Sequence, residues 1–298
     1  MRKISARIGV PSHFQLASLS RRNIVGMGMS PQTPEPHVAT ACRILAARGR
    51  QPPEPISVED WKFSPQTEEE AYLAQDYFVK NCAALNYGNP VGFKIGATNQ
   101  GARDGLKLPQ PFYGVLFQGL SSRNGSTIDA SRMFLRVVEP EIALELSHDI
   151  DASTGPVDAE AVKKATARVF PAIEVVDSVF GSRWKELGGL NVIADNGAHG
   201  QWIRGEGNAD PSKFDAEGVK VTLEVNGKLE REGSGAAVEG GAFAGTAWLA
   251  NFLASRGVPL RKGSVISTGT TTVPWMANAG DNIVVKFEGL GEVQLSFQ

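Results

Sequence analysis

The chain has 298 residues, 42% of them hydrophobic and 21% charged, with a net charge of −2. That is the balance of an ordinary globular enzyme, long enough for one large domain or for a small helical segment plus one. The near-zero charge gives no electrostatic case for nucleic acid or a membrane surface, and no apolar run is long enough to span a bilayer.

Residues 1–34 contain Arg2, Lys3, Arg7, Arg21 and Arg22, several serines, and no acid before Glu35. We read them as a disordered arm or an over-long gene start, with Met27 and Met29 as alternative starts. An organelle transit peptide is the other reading of that composition. On neither reading does the segment carry chemistry. Cys42 and Cys82 form neither a disulfide framework nor a metal-type spacing, so a reducing, cytoplasmic setting is expected.

Residues 35–88 read as a helical N-terminal part. Val38, Ala41, Cys42 and Leu45 have helical spacing over 37–48. A link rich in proline follows at Pro52-Pro53-Glu54-Pro55. Thr67 and Glu70 then make a capping box ahead of a stripe of Ala71, Ala74, Phe78, Cys82 and Leu85. The aromatic residues Tyr72, Tyr77 and Phe78 are expected in its core.

Residues 89–298 have another texture. Short apolar strands are predicted over 91–95, 137–146, 192–194, 219–225, 265–267, 283–287 and 292–297, broken by glycine. Asn226-Gly227 signals a hairpin. One helix is predicted to start at Asp158 as N-cap, and another to run over 244–255 and close at Gly257. Many strands with few helices imply an α+β protein with a β-rich sandwich or roll core, not a doubly wound parallel sheet. No glycine-rich phosphate fingerprint follows a strand, so nucleotide binding has no support.

Glu139 and Glu141 stand in the apolar run Val137-Val138-Glu139-Pro140-Glu141-Ile142-Ala143-Leu144, and Glu174 in Pro171-Ala172-Ile173-Glu174-Val175-Val176. A buried carboxylate needs a partner or it neutralises. Residues two apart on a strand share a face at roughly 6.5–7 Å, close enough to converge on one ion. Oxygen-only ligation suits a hard divalent cation such as Mg²⁺ or Mn²⁺. The polar face of a half-exposed strand is the alternative for the Glu139–Glu141 pair. Glu145 shares the parity but lies about 13 Å from Glu141 on an extended strand and is read as exposed.

A series of motifs then lines up in order. They are Gly92-Phe93-Lys94-Ile95-Gly96, Val138-Glu139-Pro140-Glu141, Pro171-Ala172-Ile173-Glu174 with Asp177-Ser178, and Ala194-Asp195-Asn196. Arg231-Glu232-Gly233-Ser234-Gly235-Ala236, Ala247-Trp248-Leu249-Ala250-Asn251, and Ser267-Thr268-Gly269-Thr270-Thr271-Thr272-Val273-Pro274 with Ala279-Gly280-Asp281 complete them. Over residues 67–298 the set resembles the 2-keto-4-pentenoate hydratase / oxalocrotonate decarboxylase branch of the fumarylacetoacetate hydrolase superfamily. The resemblance implies a mixed β-roll core of the fumarylacetoacetase C-terminal type behind a helical part. It also implies a Mg²⁺ or Mn²⁺ site on Glu139, Glu141 and Glu174, and a 2-oxo acid or 2-hydroxydienoate as substrate. A cation chelated by such a substrate stabilises an enolate when a proton moves at C3 or C5. Hydration, decarboxylation and C–C cleavage all pass through that enolate.

Lys94 matches the family's lysine and could bind the substrate carboxylate or act as an acid; a snorkelling surface lysine is the plain alternative. Asn196 could reach the substrate or a bound water, or serve turn chemistry beside Gly197. Thr270 and Thr271 could cradle a carboxylate, or reflect β-propensity alone. His199 is a possible general base, or an exposed loop histidine between glycines. With four histidines and no H-E-x-x-H, no zinc site is expected.

The sequence also departs from the family pattern. Phe112 replaces the acid that hydratases often carry after the lysine motif, and it is counted here with the substrate-binding residues. Ala198 replaces a serine and Val179 an arginine, and the family's Gly-x-Pro segment reads Gly240-Gly241-Ala242, without its proline. The leading expectation is a metal-dependent lyase hydrating a 2-hydroxy-2,4-dienoate to a 4-hydroxy-2-oxo acid. The alternatives are a 2-oxo-hexenedioate decarboxylase, an acylpyruvate-type C–C hydrolase and, least favoured, a non-catalytic partner subunit. A homo-oligomer is expected.

Overall fold

The computed structural model describes residues 34–298; the arm or leader expected over 1–34 lies outside them except for Pro34. In chain order the helices are α1 (Pro36–Arg48), α2 (Glu68–Asn81), α3 (Gln100–Leu106), α4 (Ala159–Ala165), α5 (Gly189–Ala194) and α6 (Gly241–Ser255). The first seven strands are β1 (Pro90–Gly96), β2 (Phe112–Phe117), β3 (Ser121–Arg123), β4 (Ser126–Ile128), β5 (Val137–Leu146), β6 (Thr166–Val176) and β7 (His199–Arg204). They are followed by β8 (Lys220–Val225), β9 (Lys228–Ser234), β10 (Val265–Thr270), β11 (Trp275–Met276), β12 (Asn282–Phe287) and β13 (Gly291–Phe297).

The protein is α+β. The larger sheet runs β2-β1-β10-β5-β6-β7-β3, with β11 paired to β5 beside that path, and the smaller runs β4-β13-β12-β8-β9. Both are mixed: β1/β10, β3/β7 and β4/β13 are parallel and the remaining pairs antiparallel. The two sheets and the N-terminal helices share one hydrophobic core.

Local chemistry explains most boundaries. Thr67 caps α2 by accepting from Glu70 N at 3.1 Å, while the Glu70 carboxylate reaches back to Gln66 N. Asp158 caps α4. Asn226 and Gly227 both take positive φ, the geometry that a tight hairpin between β8 and β9 demands.

Two of the predicted elements differ. α1 forms where predicted, but its buried stripe is Thr40, Ala41, Ile44, Ala47 and Arg48, and Cys42 points outward. The stretch Val192–Ala194 is helical (α5), not a strand. Its apolar run is too short for periodicity to decide, and the glycines before it let the chain turn into a helix.

β5 positions the site. Alternation puts Glu139, Glu141, Ala143 and Glu145 on one face. Between the ends of that face lies a separate apolar cluster of Leu116, Ala143, Phe170, Ala172, Trp202 and Val265. Glu139, Glu141 and Glu174 stand at one end of it. At the other end Glu145 is half-buried, not exposed. Its Oε2 accepts from Arg168 at 3.0 and 2.7 Å and from Arg204 at 2.8 Å. Those arginines arrive from β6 and β7, which spacing along β5 alone could not reveal.

Candidate metal centre

Pro140 separates the two glutamates and has no N–H for the ladder. The β10–β5 register shifts between Ser267 and Thr270, whose partners are Ala143 and Glu141, so the irregularity lies just beyond this proline. Gly269 (φ +110°) turns the chain there, and a Cβ on it would lie 2.4 Å from the Thr98 hydroxyl. The freed segment folds back, so that Thr271 N and Oγ1 both donate to Pro140 O, at 2.7 and 2.8 Å.

Glu174 on β6 is the direct cross-strand partner of Glu139. One oxygen from each of Glu139, Glu141 and Glu174 lies within 4.8 Å of the others. Glu141 and Glu174 are fully buried, and Glu139 is partly exposed and marks the open side. Each buried acid is held through one oxygen. Glu141 Oε2 accepts from Ser267 Oγ, which in turn accepts from Trp202 Nε1 at 3.0 Å. Glu174 Oε1 lies 3.0 Å from His199 Nδ1. Glu141 Oε1 and Glu174 Oε2 have no hydrogen-bond partner. The buried Lys94 ammonium lies 3.4 Å from Glu174 Oε2, without hydrogen-bond geometry.

The electrostatics follow. Burial, then the charge of Glu174, pushes Glu139 from 4.5 up to about 7. Burial, then Glu174 and Glu139, pushes Glu141 well above the carboxylate range. Burial would raise Glu174 too, but Lys94 and His199 outweigh it and hold Glu174 below its ordinary value. Burial lowers His199 against the pull of Glu174, so the ring is neutral, with Nδ1–H facing Glu174 and Nε2 unpartnered. Three oxygen donors, two of them with orphaned oxygens, against a single buried ammonium fit a hard divalent cation.

The remaining expected residues fall in two groups. Lys94 and His199 join the carboxylates; His199 is buried at the start of β7, not an exposed loop residue. Phe112 places its ring 5.0 Å from Lys94 Nζ and covers it. Asn196, by contrast, spends its amide on Val115: Oδ1 accepts from Val115 N at 2.8 Å and Nδ2 donates to Val115 O at 2.9 Å. Thr271 spends its hydroxyl on Pro140 and is fully buried, and Thr270 donates to Thr272 O at 3.0 Å. Neither hydroxyl is left to cradle a carboxylate. A buried hydroxyl or amide takes the nearest backbone partner when one is in reach. Sequence reasoning missed Ser267 and Trp202. Ser267 lay inside a quoted motif, but Trp202 sits on β7, a strand not predicted.

The fumarylacetoacetate (FAA) hydrolase C-terminal family model matches residues 82–298. A 2-hydroxyhexa-2,4-dienoate hydratase of Comamonas testosteroni is 33% identical over 210 residues, covering 70% of this chain and 78% of its own. A 4-oxalocrotonate decarboxylase of Pseudomonas putida is 33% identical over 208 residues, covering 70% and 77%. The solved structure of 4-oxalocrotonate decarboxylase from Pseudomonas putida G7, complexed with magnesium and adipate, superposes with a TM-score of 0.81 at 30% identity, over 89% of this chain and 98% of that one. Among the described residues no helix is long and apolar enough to cross a membrane.

Proposed function

The chain belongs to the fumarylacetoacetate hydrolase C-terminal family, and from that membership and the geometry of its buried acids we propose that it is a divalent-metal-dependent lyase. Its reaction is the hydration of a 2-hydroxy-2,4-dienoate to a 4-hydroxy-2-oxo acid. The observation that carries this reading is the convergence of Glu139, Glu141 and Glu174 with two buried oxygens unpartnered, beside a buried lysine.

Glu139, Glu141 and Glu174 would hold the cation, Mg²⁺ or Mn²⁺, whose chemistry is Lewis-acid stabilisation of the enolate charge. Lys94 pairs with the substrate carboxylate, and its position beside Glu174 keeps the ammonium from swinging away. Phe112 excludes water from that ion pair. The net bond changes are fixed by the reaction: the 2-hydroxyl and the attacking water each release one proton, C3 and C5 each gain one, and the hydroxyl of that water bonds to C4. His199 Nε2, a neutral acceptor without a partner, is the group that accepts a proton in this scheme. Asn196, Thr270 and Thr271 act through backbone, fixing the walls. We place the enzyme in the cytoplasm as a homo-oligomer.

A second reading has specific support. The 4-oxalocrotonate decarboxylase structure matches nearly its whole length to this chain, and Phe112 leaves the site without a further acid. A decarboxylase of a 2-oxo-hexenedioate would use the same carboxylates and lysine. The deciding experiment offers 2-hydroxydienoates, 2-oxo-enedioates and acylpyruvates with Mg²⁺ or Mn²⁺ and follows product mass and CO₂. A hydrated product from a monocarboxylate supports the hydratase; release of CO₂ from a dioate without hydration replaces it.

A further inference from the structure

Arg48 is the last residue of α1 and lies outside the span matched by the family model. Its guanidinium is buried against two buried acids. Nε donates to Asp195 Oδ1 at 2.9 Å, Nη2 lies 2.7 Å from the same oxygen, and Nη2 donates to Asp177 O at 2.8 Å. Nη1 is 3.9 Å from Asp177 Oδ2. The acids bond onward to the backbone: Asp195 Oδ2 accepts from Val179 N and Asp177 Oδ1 from Leu135 N.

Between these acids and the metal centre runs one turn. Asn196, Gly197 and Ala198 all have positive φ, 50°, 68° and 55°. Two of the three are not glycine, so the conformation is costly and persists only where surrounding contacts impose it. Asp177 N donates to Ala198 O and Ala198 N to Asp195 O, both at 2.8 Å. The turn touches the site twice. His199, its next residue, meets Glu174. Gly197 packs on Lys94, where a Cβ would come 2.6 Å from Lys94 Cε.

We propose that Arg48 is a positioning residue: through Asp195 and Asp177 it holds the left-handed turn that sets the His199–Glu174 hydrogen bond and confines Lys94. A helix outside the family-matched span thus acts on the site without touching substrate. A buried ion network of this kind adds little net stability over apolar packing, so its value lies in the geometry it imposes.

The full-length protein without added metal tests the first half. The ring N–H resonance of His199 is assigned by its loss in His199→Gln. Arg48→Lys, which keeps the charge but loses the planar fork, is expected to broaden or shift it. With whichever substrate above is turned over, kcat should fall on the order of tenfold or more while KM moves less than about threefold. The kinetic arm rests on the proposed function; the resonance needs neither substrate nor cation, so the two failures are separable. Should Arg48→Lys not fold, Arg48→Met/Asp195→Asn, which leaves one acid fewer without a partner, is read in the same way. A folded variant with an unchanged resonance and kcat within about twofold overturns the proposal. So does a fall in kcat with the resonance unchanged, which removes the route through His199, or failure of both variants to fold, which leaves Arg48 a purely structural clamp.

Discussion

Glu139 and Glu174 are direct partners across the β5–β6 ladder, two acids set side by side in the middle of a sheet. Like charges facing each other across strands destabilise a sheet, and here a third carboxyl, Glu141, adds to the repulsion. The nearest compensation is a single lysine bound to one of them. An arrangement that works against folding calls for a cation that reverses its sign.

Glu141→Gln and Glu174→Gln should therefore each lower Mn²⁺ affinity by at least about tenfold, since a cation that prefers six or more oxygens loses one of only three protein carboxylates. The fold should persist, because an amide fills the same volume. Calorimetric titration checks this. Unchanged affinity in both variants would remove the three acids as the ligand set.

Metal dependence should vary with pH in a defined direction. Glu139 is raised from 4.5 to about 7. Between those values the folded chain holds a proton that the unfolded chain has released, so this stabilisation is complete below about pH 4.5 and is lost as pH rises through about 7, on the order of 3 kcal/mol. A bound divalent cation removes that loss and displaces the proton. The gap in Tm between protein with Mg²⁺ and protein with chelator should widen from about pH 5 to pH 8. A gap that stays constant, or narrows, would contradict the assignment of Glu139 to the site.

Ser267→Ala tests how Glu141 is aimed. Ser267 joins Trp202 to Glu141 Oε2 and leaves Oε1 free. Losing such an outer partner typically costs 10–100-fold in metal affinity, so about tenfold is expected for Mg²⁺. Ca²⁺, which tolerates looser geometry, should lose less. Equal losses for the two ions would mean that Ser267 contributes to stability and not to aim. The stability change itself should be about 1–3 kcal/mol, the penalty for leaving the Trp202 N–H and a carboxylate oxygen unpaired.

The carboxylates were legible from sequence because strand alternation is rigid: two residues apart means one face, and apolar neighbours mean burial. Lys94 was legible for the same reason, as a charge inside an apolar strand. What spacing could not show was which side chains had already found partners. Asn196 and Thr271 look like ligand-binding groups in a list of residues, and in space both are consumed by one backbone group, Val115 and Pro140. His199 looked exposed between two glycines because flanking glycine marks turns as readily as close packing, and here Gly200 sits where a Cβ would lie 2.4 Å from Asp177 Cβ. The buried stripe of α1 lies one helical step from the expected one and ends on Arg48, a residue type that is almost never fully buried unless paired. Its partners lie 129 and 147 positions away, beyond any local pattern.

Lys94→Met separates substrate binding from metal binding. The ammonium is buried, 3.4 Å from Glu174 Oε2 and under the Phe112 ring. Methionine nearly fills the same volume and keeps the packing of Phe112 and Gly197, so the fold should hold. A charge-assisted hydrogen bond is worth about 1.5–3 kcal/mol, and its loss should lower kcat/KM at least about tenfold. The effect on the cation has the opposite sign. Removing a positive neighbour leaves the three carboxylates with nothing to offset, so Mn²⁺ should bind as tightly or more tightly than in the wild type. If the loss falls on KM alone, Lys94 only anchors the carboxylate; if kcat falls further than KM rises, it also supplies a proton during turnover. Kinetics unchanged from the wild type would leave the substrate carboxylate without its partner. With the Thr270 and Thr271 hydroxyls already committed to backbone, the cation alone would then have to hold that carboxylate, and the role given to Lys94 would have to be abandoned.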